Sequence, residues 1–261
     1  MRNDTLDTIK SLRSAHWTFS DKPVSREDVE TIIKHSLCPA NNNDRTDTSV
    51  IVVDDPELLN SISFGESERK PVTVLMYFLD YNRTIRCSHY MGYNDYSPWN
   101  RFYHFLFGLY DVSASVSAAV IAAESMGIDT LVTNFTHRHD IKEINKLLNL
   151  PEEYCFPVMQ VALGYSETEK PKPREILTKG VIHYNKYKPA DEEDIRALIR
   201  NMDDNYPERV SEKYHHALDW FFAEWWVNGY ENEMFFNLVD MFLKTKLLDE
   251  PSFMSAKTGM N

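Results

Sequence analysis

Apolar residues recur at helical spacing in some stretches of the chain and in short unbroken runs in others. Leu6, Ile9 and Leu12 share one face of a first helix over 5–13. Ser25 is a good N-cap, with Glu27 and Asp28 in the turn after it. Val29, Ile32, Ile33 and Leu37 then form the apolar stripe of a second helix, which must end before Pro39. Ala40 to Thr48 is polar and Asn-rich and is expected to be a loop. Ser49 to Val53, closed by Asp54-Asp55-Pro56, and Pro71 to Leu79 read as buried strands. The stretch from Asn82 to Trp99 is aromatic and irregular. Phe102 to Met126 is a long apolar helix, rich in Ala and Ser in its second half and stopped by Gly127. Asp129 to Phe135 is a short strand, and Asp140 to Leu148 a helix with Ile141, Ile144, Leu147 and Leu148 inward. Phe156 to Leu163 is a strong strand ending at Gly164. A basic, proline-spaced EKPKPRE segment follows. From about Pro189 the character changes to helices with heavy aromatic faces. The expected organisation is therefore a domain over 1–188 and a helical extension over 189–261. No internal repeat or low-complexity tract is present.

Charge narrows the function classes. The 28 basic residues face 40 acidic ones, a net charge of −12, in a chain that is 43% apolar and 13% aromatic. Such a surface repels phosphate backbones and anionic membranes, which argues against nucleic-acid or membrane partners while leaving room for a local basic pocket. The N-terminal MRNDTLDTIK lacks the apolar core of a signal peptide, and no uninterrupted apolar run approaches the ~20 residues that span a bilayer. Cys38, Cys87 and Cys155 are odd in number and widely spaced, as expected of reduced thiols, so the expected compartment is the cytoplasm.

The common chemical motifs are missing. With only 8 glycines, the sequence contains no GxGxxG and no GxxxxGK[ST], both of which need glycine so that backbone can approach phosphate. There is no GxSxG elbow and no HExxH. Tyr184 and Lys188 have the Tyr-x-x-x-Lys spacing of short-chain dehydrogenases, but the glycine-rich turn that should accompany it is absent. A surface cluster is the better reading. Adjacent His215 and His216 point about 100° apart on a helix and cannot share a metal. His137 and His139 fall in a loop before a helix, so no metal site is expected.

Read in order, several segments resemble the FMN-dependent nitroreductase family. They are Leu12-Arg13-Ser14-Ala15-His16-Trp17-Thr18-Phe19, then Asp21-Lys22-Pro23-Val24-Ser25, then Cys38-Pro39-Ala40-Asn41-Asn42-Asn43 leading into the first strand. Further on come Ala122-Ala123-Glu124-Ser125-Met126-Gly127-Ile128, the strand from Thr130, Leu147-Leu148-Asn149-Leu150-Pro151-Glu152, Val161-Ala162-Leu163-Gly164-Tyr165 and Lys170-Pro171-Lys172-Pro173-Arg174. The match covers about residues 5 to 185, and its specificity lies in order and spacing.

The resemblance implies an α/β (α+β) nitroreductase-like fold, with a central, mainly antiparallel sheet flanked by helices and a C-terminal helical extension. It implies an NAD(P)H-dependent FMN oxidoreductase in which NADH or NADPH reduces the flavin at N5. A small organic acceptor, nitroaromatic or quinone-like, then takes its place in a ping-pong cycle. The family is a homodimer joined through the long central helix, with FMN in clefts built from both subunits. No side chain need act as acid or base, since the cofactor carries the chemistry. The implied flavin contacts are Arg13, Ser14, Ala15 and Trp17 from the first motif, Asn43 and Arg45 from the Asn-rich loop, Leu131, Thr133 and Asn134 from the strand passing the ring, and Lys172 and Arg174 from the basic block. Arg13 and Arg174 are expected to converge on the phosphate, which planar guanidinium groups grip well. Three positions depart from the pattern: Ala15 stands where the family has Ser, Trp17 where it has Arg or Lys, and Asp47 where it often has Trp. Arg45 is the substitute cation for the reduced ring, and Asn134 stands in for a glycine of unusual backbone angle. Aromatic residues from Tyr90 to Tyr103 occupy the family's substrate-covering segment. Two other readings stay open: a non-catalytic or degenerate flavin-binding or sensing protein, and a helical interaction protein built on the extension.

Overall fold

The structure is a computed structural model that describes residues 4–15, 19–39, 41, 44–62, 72–94, 102–134, 137, 141–168, 173–226 and 232–246. By packing, the chain forms two compact units, Met1–Pro171 with Phe236–Asn261, and Lys172–Phe235. The division expected between 188 and 189 falls inside the second unit.

The first unit is organised by a four-stranded sheet: β1 (Thr48–Val53), β2 (Thr73–Asp80), β3 (Asp129–Thr133) and β4 (Cys155–Gly164), in spatial order β1-β2-β4-β3. All three pairings are antiparallel, with Val53 opposite Val74, Leu79 opposite Phe156 and Thr133 opposite Gln160. The inner strands β2 and β4 are covered on both faces. That is why both read as unbroken apolar runs rather than as alternating ones.

One face carries Leu75, Tyr77, Leu79, Val161 and Leu163 and packs against Val29 and Ile32 of α2 (Arg26–Ser36) and Val112, Val116, Ala119 and Ala123 of the long helix α5 (Phe102–Ser125). The other carries Val74, Met76, Phe78, Leu131 and Ala162 and meets Ala15, Phe19, Ile62 and Ile144. Ser25 caps α2 by accepting from the Asp28 amide at 3.1 Å, and Gly127, at φ +72°, stops α5 as its position predicted. Within α2 the inward position is Ser36 rather than Leu37, which stays 45% exposed. In α1 (Asp4–Ser11), Leu6 and Ile9 are exposed, so the predicted stripe is not buried within this chain.

Three expectations need correcting. First, Asn82–Tyr90 is a helix, α4, not irregular chain: Asp80 Oδ1 accepts from the Asn82 amide at 3.0 Å and starts it. Only Ile85 of α4 is buried, so no apolar stripe announced it. A short helix α3 (Pro56–Ser61) was likewise read only as the end of a strand. There, Asp55 accepts from the Leu58 amide at 2.8 Å and Pro56 opens the first turn. Second, His104–Ser125 is long and apolar enough, by length and composition, to cross a membrane. Counting unbroken apolar runs hid this, because Ser, Asp111 and Glu124 interrupt the sequence without lowering the average enough. Here its inner face is packed against the sheet. Third, the C-terminal extension is not one piece. Helix α9 (Asn232–Lys244) returns to the sheet of the first unit, where Met241 is fully buried and Phe242 stacks on Phe156 at 4.6 Å. Helix α6 (Ile141–Leu148) covers the second face through Ile144, while Leu147 stays exposed.

The second unit is built on α7 (Glu192–Asn205). Its acidic start is a capping box in which Asp191 and Asp194 each accept from the other's amide. A four-residue helix α8 (Ala217–Trp220) runs into a π-helical turn over Phe221–Trp226. Their aromatic rings pack mainly on one another: Trp220 on Trp225 at 6.3 Å, Phe221 on Tyr206 at 5.3 Å, with Arg209 over Trp220 at 3.9 Å. Tyr184 is 86% exposed and Lys188 pairs with Asp191, which leaves no Tyr-x-x-x-Lys site.

Close packing between Phe19 and β4 fixes where the N-terminal segment lies. A Cβ built on Gly164 would fall 2.6 Å from Phe19 Cδ1 and 2.9 Å from Cγ, both in the ring of a residue that is only 3% exposed. Gly164→Ala is therefore expected to lower stability by about 1–3 kcal/mol through overpacking, read as a lower midpoint in urea. An unchanged midpoint would show that Phe19 can move aside freely.

Candidate active site

The first motif lies beside the strand expected to pass the flavin. Ser14 bridges Thr130 in parallel, the Ala15 amide donates to the Thr130 carbonyl at 2.7 Å, and farther on the Ser20 amide donates to Tyr165 at 2.7 Å. Arg13, Ser14 and Ala15 are thus brought against β3, which carries Leu131 and Thr133. Leu131 is buried, Thr133 half-buried and Asn134 exposed. Ala15 is fully buried in the second core face, an environment that suits a methyl group and would oblige a serine hydroxyl to find a partner. Asn134 does not take the left-handed backbone expected of a glycine replacement; its carbonyl instead accepts from the His137 amide at 2.9 Å. His137 Nε2 contacts the Pro157 carbonyl at 2.8 Å, and burial holds its pKa below the usual imidazole value against that bond.

Arg45 lies elsewhere. Its Nη2 is 2.8 Å from Asp47 Oδ2 and its Nη1 is 3.1 Å from His104 Nδ1, with its guanidinium 5.5 Å from the centre of the Tyr81 ring. The Arg45 side chain is 16% exposed and that of Asp47 not at all. Burial pushes the Asp47 carboxyl above its ordinary value, with Arg45 and the Thr84 hydroxyl pulling it down and Asp111 pushing it further up. The loop that presents Arg45 is tightly built. Asp44 and Thr46 have φ of +53° and +58°, the second a rare state for a β-branched residue. Arg83 holds Thr46 there, donating from Nη2 to the Thr46 carbonyl at 2.5 Å and the Thr48 carbonyl at 2.9 Å, and from Nη1 to Ser49 at 2.7 Å. Strain held by so many bonds accompanies functional loops more often than chance. Sequence reading missed Asp80, Arg83, Thr84 and His104; the Asp80-x-x-Arg83 spacing at a helix start was the available signal.

Arg45 enters β1 and the Arg13–Ala15 segment lines β3, the two outer strands of the sheet. Three interstrand steps of ~4.8 Å put these edges about 14 Å apart within one protomer. Arg174 belongs to the second unit, where it is exposed and stacks 5.3 Å from the centre of the Tyr206 ring. Trp17, Asn43 and Lys172 lie outside the described residues, as do Tyr96 and Trp99 of the aromatic segment, while Tyr90 and Tyr93 are exposed.

Among the described residues, the Gln160 carboxamide, 1% exposed and opposite Thr133, has no hydrogen-bond partner on either atom, and the buried Ser166 hydroxyl has none. Buried amides are rarely left so. Arg13 is half-buried on the segment paired with β3, and a cation there suits an anionic group such as the phosphate of FMN.

No protein-family model matches the chain. Among curated proteins, it is 27% identical over 219 residues to an NADPH-dependent oxidoreductase of Staphylococcus haemolyticus, covering 80% of this chain and 83% of that one. It is 26% identical over 216 residues to the NADPH-flavin oxidoreductase of Vibrio harveyi, covering 80% and 85%. The solved structure of the Vibrio harveyi NADPH:FMN oxidoreductase with NAD+ superposes with a TM-score of 0.77 at 20% identity over 95% of this chain and all of that one. The hypothetical oxidoreductase YcnD from Bacillus subtilis reaches 0.80 at 22% identity over 94% and 99%. The chain therefore has the nitroreductase fold and resembles the pyridine-nucleotide-dependent oxidoreductases of the nitroreductase family over four-fifths of its length.

Proposed function

We propose that this protein is an NAD(P)H-dependent FMN oxidoreductase that passes electrons to a small organic acceptor. The observation that carries the reading is the pairing of Ser14–Ala15 with Thr130, which assembles two segments more than a hundred residues apart into one edge of a nitroreductase-fold sheet. When bound, FMN supplies a hydride acceptor and donor at N5. The residues that would hold it are Arg13, Ser14, Ala15 and Trp17, with Leu131, Thr133 and Asn134 along β3. Asn43 and Arg45 come from the Asn-rich loop. A donor and an acceptor that take turns in one pocket give ping-pong kinetics.

A homodimer reconciles the two edges. Arg45 and the Arg13–Ala15 segment lie at opposite edges of one protomer's sheet, about 14 Å apart, and two copies can bring unlike edges together. Apolar surface is available for this: Leu6 and Ile9 on α1 are exposed, as are Phe107 and Tyr110 on α5, and α1 is tied to α5 by Ser11 Oγ donating to Glu124 Oε1 at 2.7 Å. The free thiols of Cys38, Cys87 and Cys155 and the acidic balance suit the cytoplasm.

The test is an absorbance spectrum of the purified protein. A yellow preparation, or one that turns yellow with added FMN, and bleaches with NADPH or NADH supports the reading. Colour without bleaching favours a flavin binder without this reductase activity, a reading to which Ala15 and the Asp47-neutralised Arg45 lend weight. A folded protein that takes up no FMN at all rejects both.

A further inference from the structure

We propose that Asn201 and Asn205 are positioning residues: from α7 they grip the backbone of Glu175 and so hold the neighbouring Arg174 ready for a ligand's phosphate group. This rests on the flavoenzyme reading above, which makes FMN that ligand. The two asparagines lie one helical turn apart and share a face of α7. Asn205 Oδ1 accepts from the Glu175 amide at 3.2 Å, and its Nδ2 donates to the Glu175 carbonyl at 3.1 Å. Asn201 Nδ2 donates to the same carbonyl at 2.9 Å, and its Oδ1 accepts from Asn205 Nδ2 at 3.3 Å. Two side chains thus occupy both polar groups of one residue's backbone, in a stretch, 173–178, with no regular secondary structure of its own.

A second hold falls on the same dipeptide. The Arg174 guanidinium lies 5.3 Å from the centre of the Tyr206 ring, and Tyr206 directly follows Asn205. That ring is itself anchored edge-on by Phe221 at 5.3 Å. Stacking fixes a guanidinium by its face and leaves its N–H edge open to an anion. Arg174 is exposed, and among the described residues no carboxylate pairs with it, in a chain that carries 40 acidic residues. Helix stability does not account for the asparagines, because Asn is a poor interior helix residue and Glu, Lys or Leu would serve α7 better. What the pair achieves is order: an arginine fixed at backbone and side chain loses less freedom when it meets a ligand.

The measurement compares FMN with riboflavin, which lacks the phosphate, by quenching of flavin fluorescence on adding the full-length apoprotein. The variants are Arg174→Gln, Asn201→Leu, Asn205→Leu, and each asparagine change combined with Arg174→Gln. Arg174→Gln is expected to weaken FMN binding by ~10- to 100-fold while leaving riboflavin binding as in wild type. Asn205→Leu, which removes three of the four bonds, should weaken FMN binding by ~2- to 10-fold, again without effect on riboflavin. Asn201→Leu should do less. With Arg174→Gln already in place, neither asparagine change should weaken FMN binding further, because each acts only through the arginine. If the asparagine changes leave FMN affinity as it was, lower FMN and riboflavin alike, or keep their full effect without Arg174, they serve the fold alone and the inference fails. Should Asn205→Leu not fold, Asn201→Leu carries the same comparison. Unchanged FMN affinity in Arg174→Gln also overturns the inference, while the flavoenzyme reading stands. A folded wild type that binds no FMN removes that reading itself, and this inference with it.

Discussion

Replacing Arg45 with methionine is expected to destabilise the protein by about 3–5 kcal/mol, because it strands a buried carboxylate. Asp47 has no exposed side-chain surface, and its Oδ2 lies 2.8 Å from Arg45 Nη2. Thr84 Oγ1 donates to its other oxygen at 3.2 Å, one neutral hydrogen bond against a full charge. The double variant Arg45→Met/Asp47→Leu removes both charges at once and is expected to recover most of the loss, since apolar pairs of similar volume commonly match or exceed buried ion pairs. Urea unfolding of the two variants and wild type reads this directly. A loss under about 1 kcal/mol in the single variant would mean that water reaches Asp47 and that the pair is a surface one. The pH dependence gives a second reading. Asp47's folded-state pKa lies above its unfolded value, so the stability it contributes is full at pH below about 4 and declines as pH rises through the raised value. Asp47→Asn should flatten that decline. The same variants separate structure from cofactor. If Arg45 also contacts flavin, the double variant regains stability but not FMN affinity.

The sheet was legible because its strands are short, β-branched and apolar, with charged or glycine ends that nothing else explains. Long-range order was legible only where motif order carried it: Arg13-Ser14-Ala15 was placed beside the flavin strand by resemblance, and no periodicity could have shown that Ala15 donates to Thr130. Helix α4 escaped because its stability comes from polar contacts around Asp80 and Arg83, which leave no apolar stripe to read. Arg45 was read as a substitute cation and Asp47 as a departure, yet two residues apart in a loop they gave no sign of facing one another. The left-handed turn at Thr46 and its clamp by Arg83 bring this about. The aromatic C-terminus was read as one extension because aromatic helices that pack on each other and those that pack on a distant sheet look alike in sequence.

Truncation at 188 is accordingly expected to abolish cooperative folding rather than to leave a flavin-binding core. The cut would remove α9, whose Met241 is fully buried and whose Phe242 stacks face to face on Phe156 and edge-on to Phe105, with centroids 4.6 and 4.9 Å away. It would also strip the Tyr154 amide of its partner, the Thr245 carbonyl at 2.7 Å. Deleting one buried side chain of this size costs about 2–5 kcal/mol. Losing two together, with the sheet face beneath them bared to water, approaches the roughly 5–15 kcal/mol that holds a typical domain folded. A milder pair of variants locates the effect on one helix. Met241→Ala should lose about 2–5 kcal/mol, whereas Phe236→Ala, at a position 66% exposed, should lose under about 1 kcal/mol. A truncated chain that still melts in one sharp transition close to the full-length temperature would show that α9 decorates the sheet instead of completing its core.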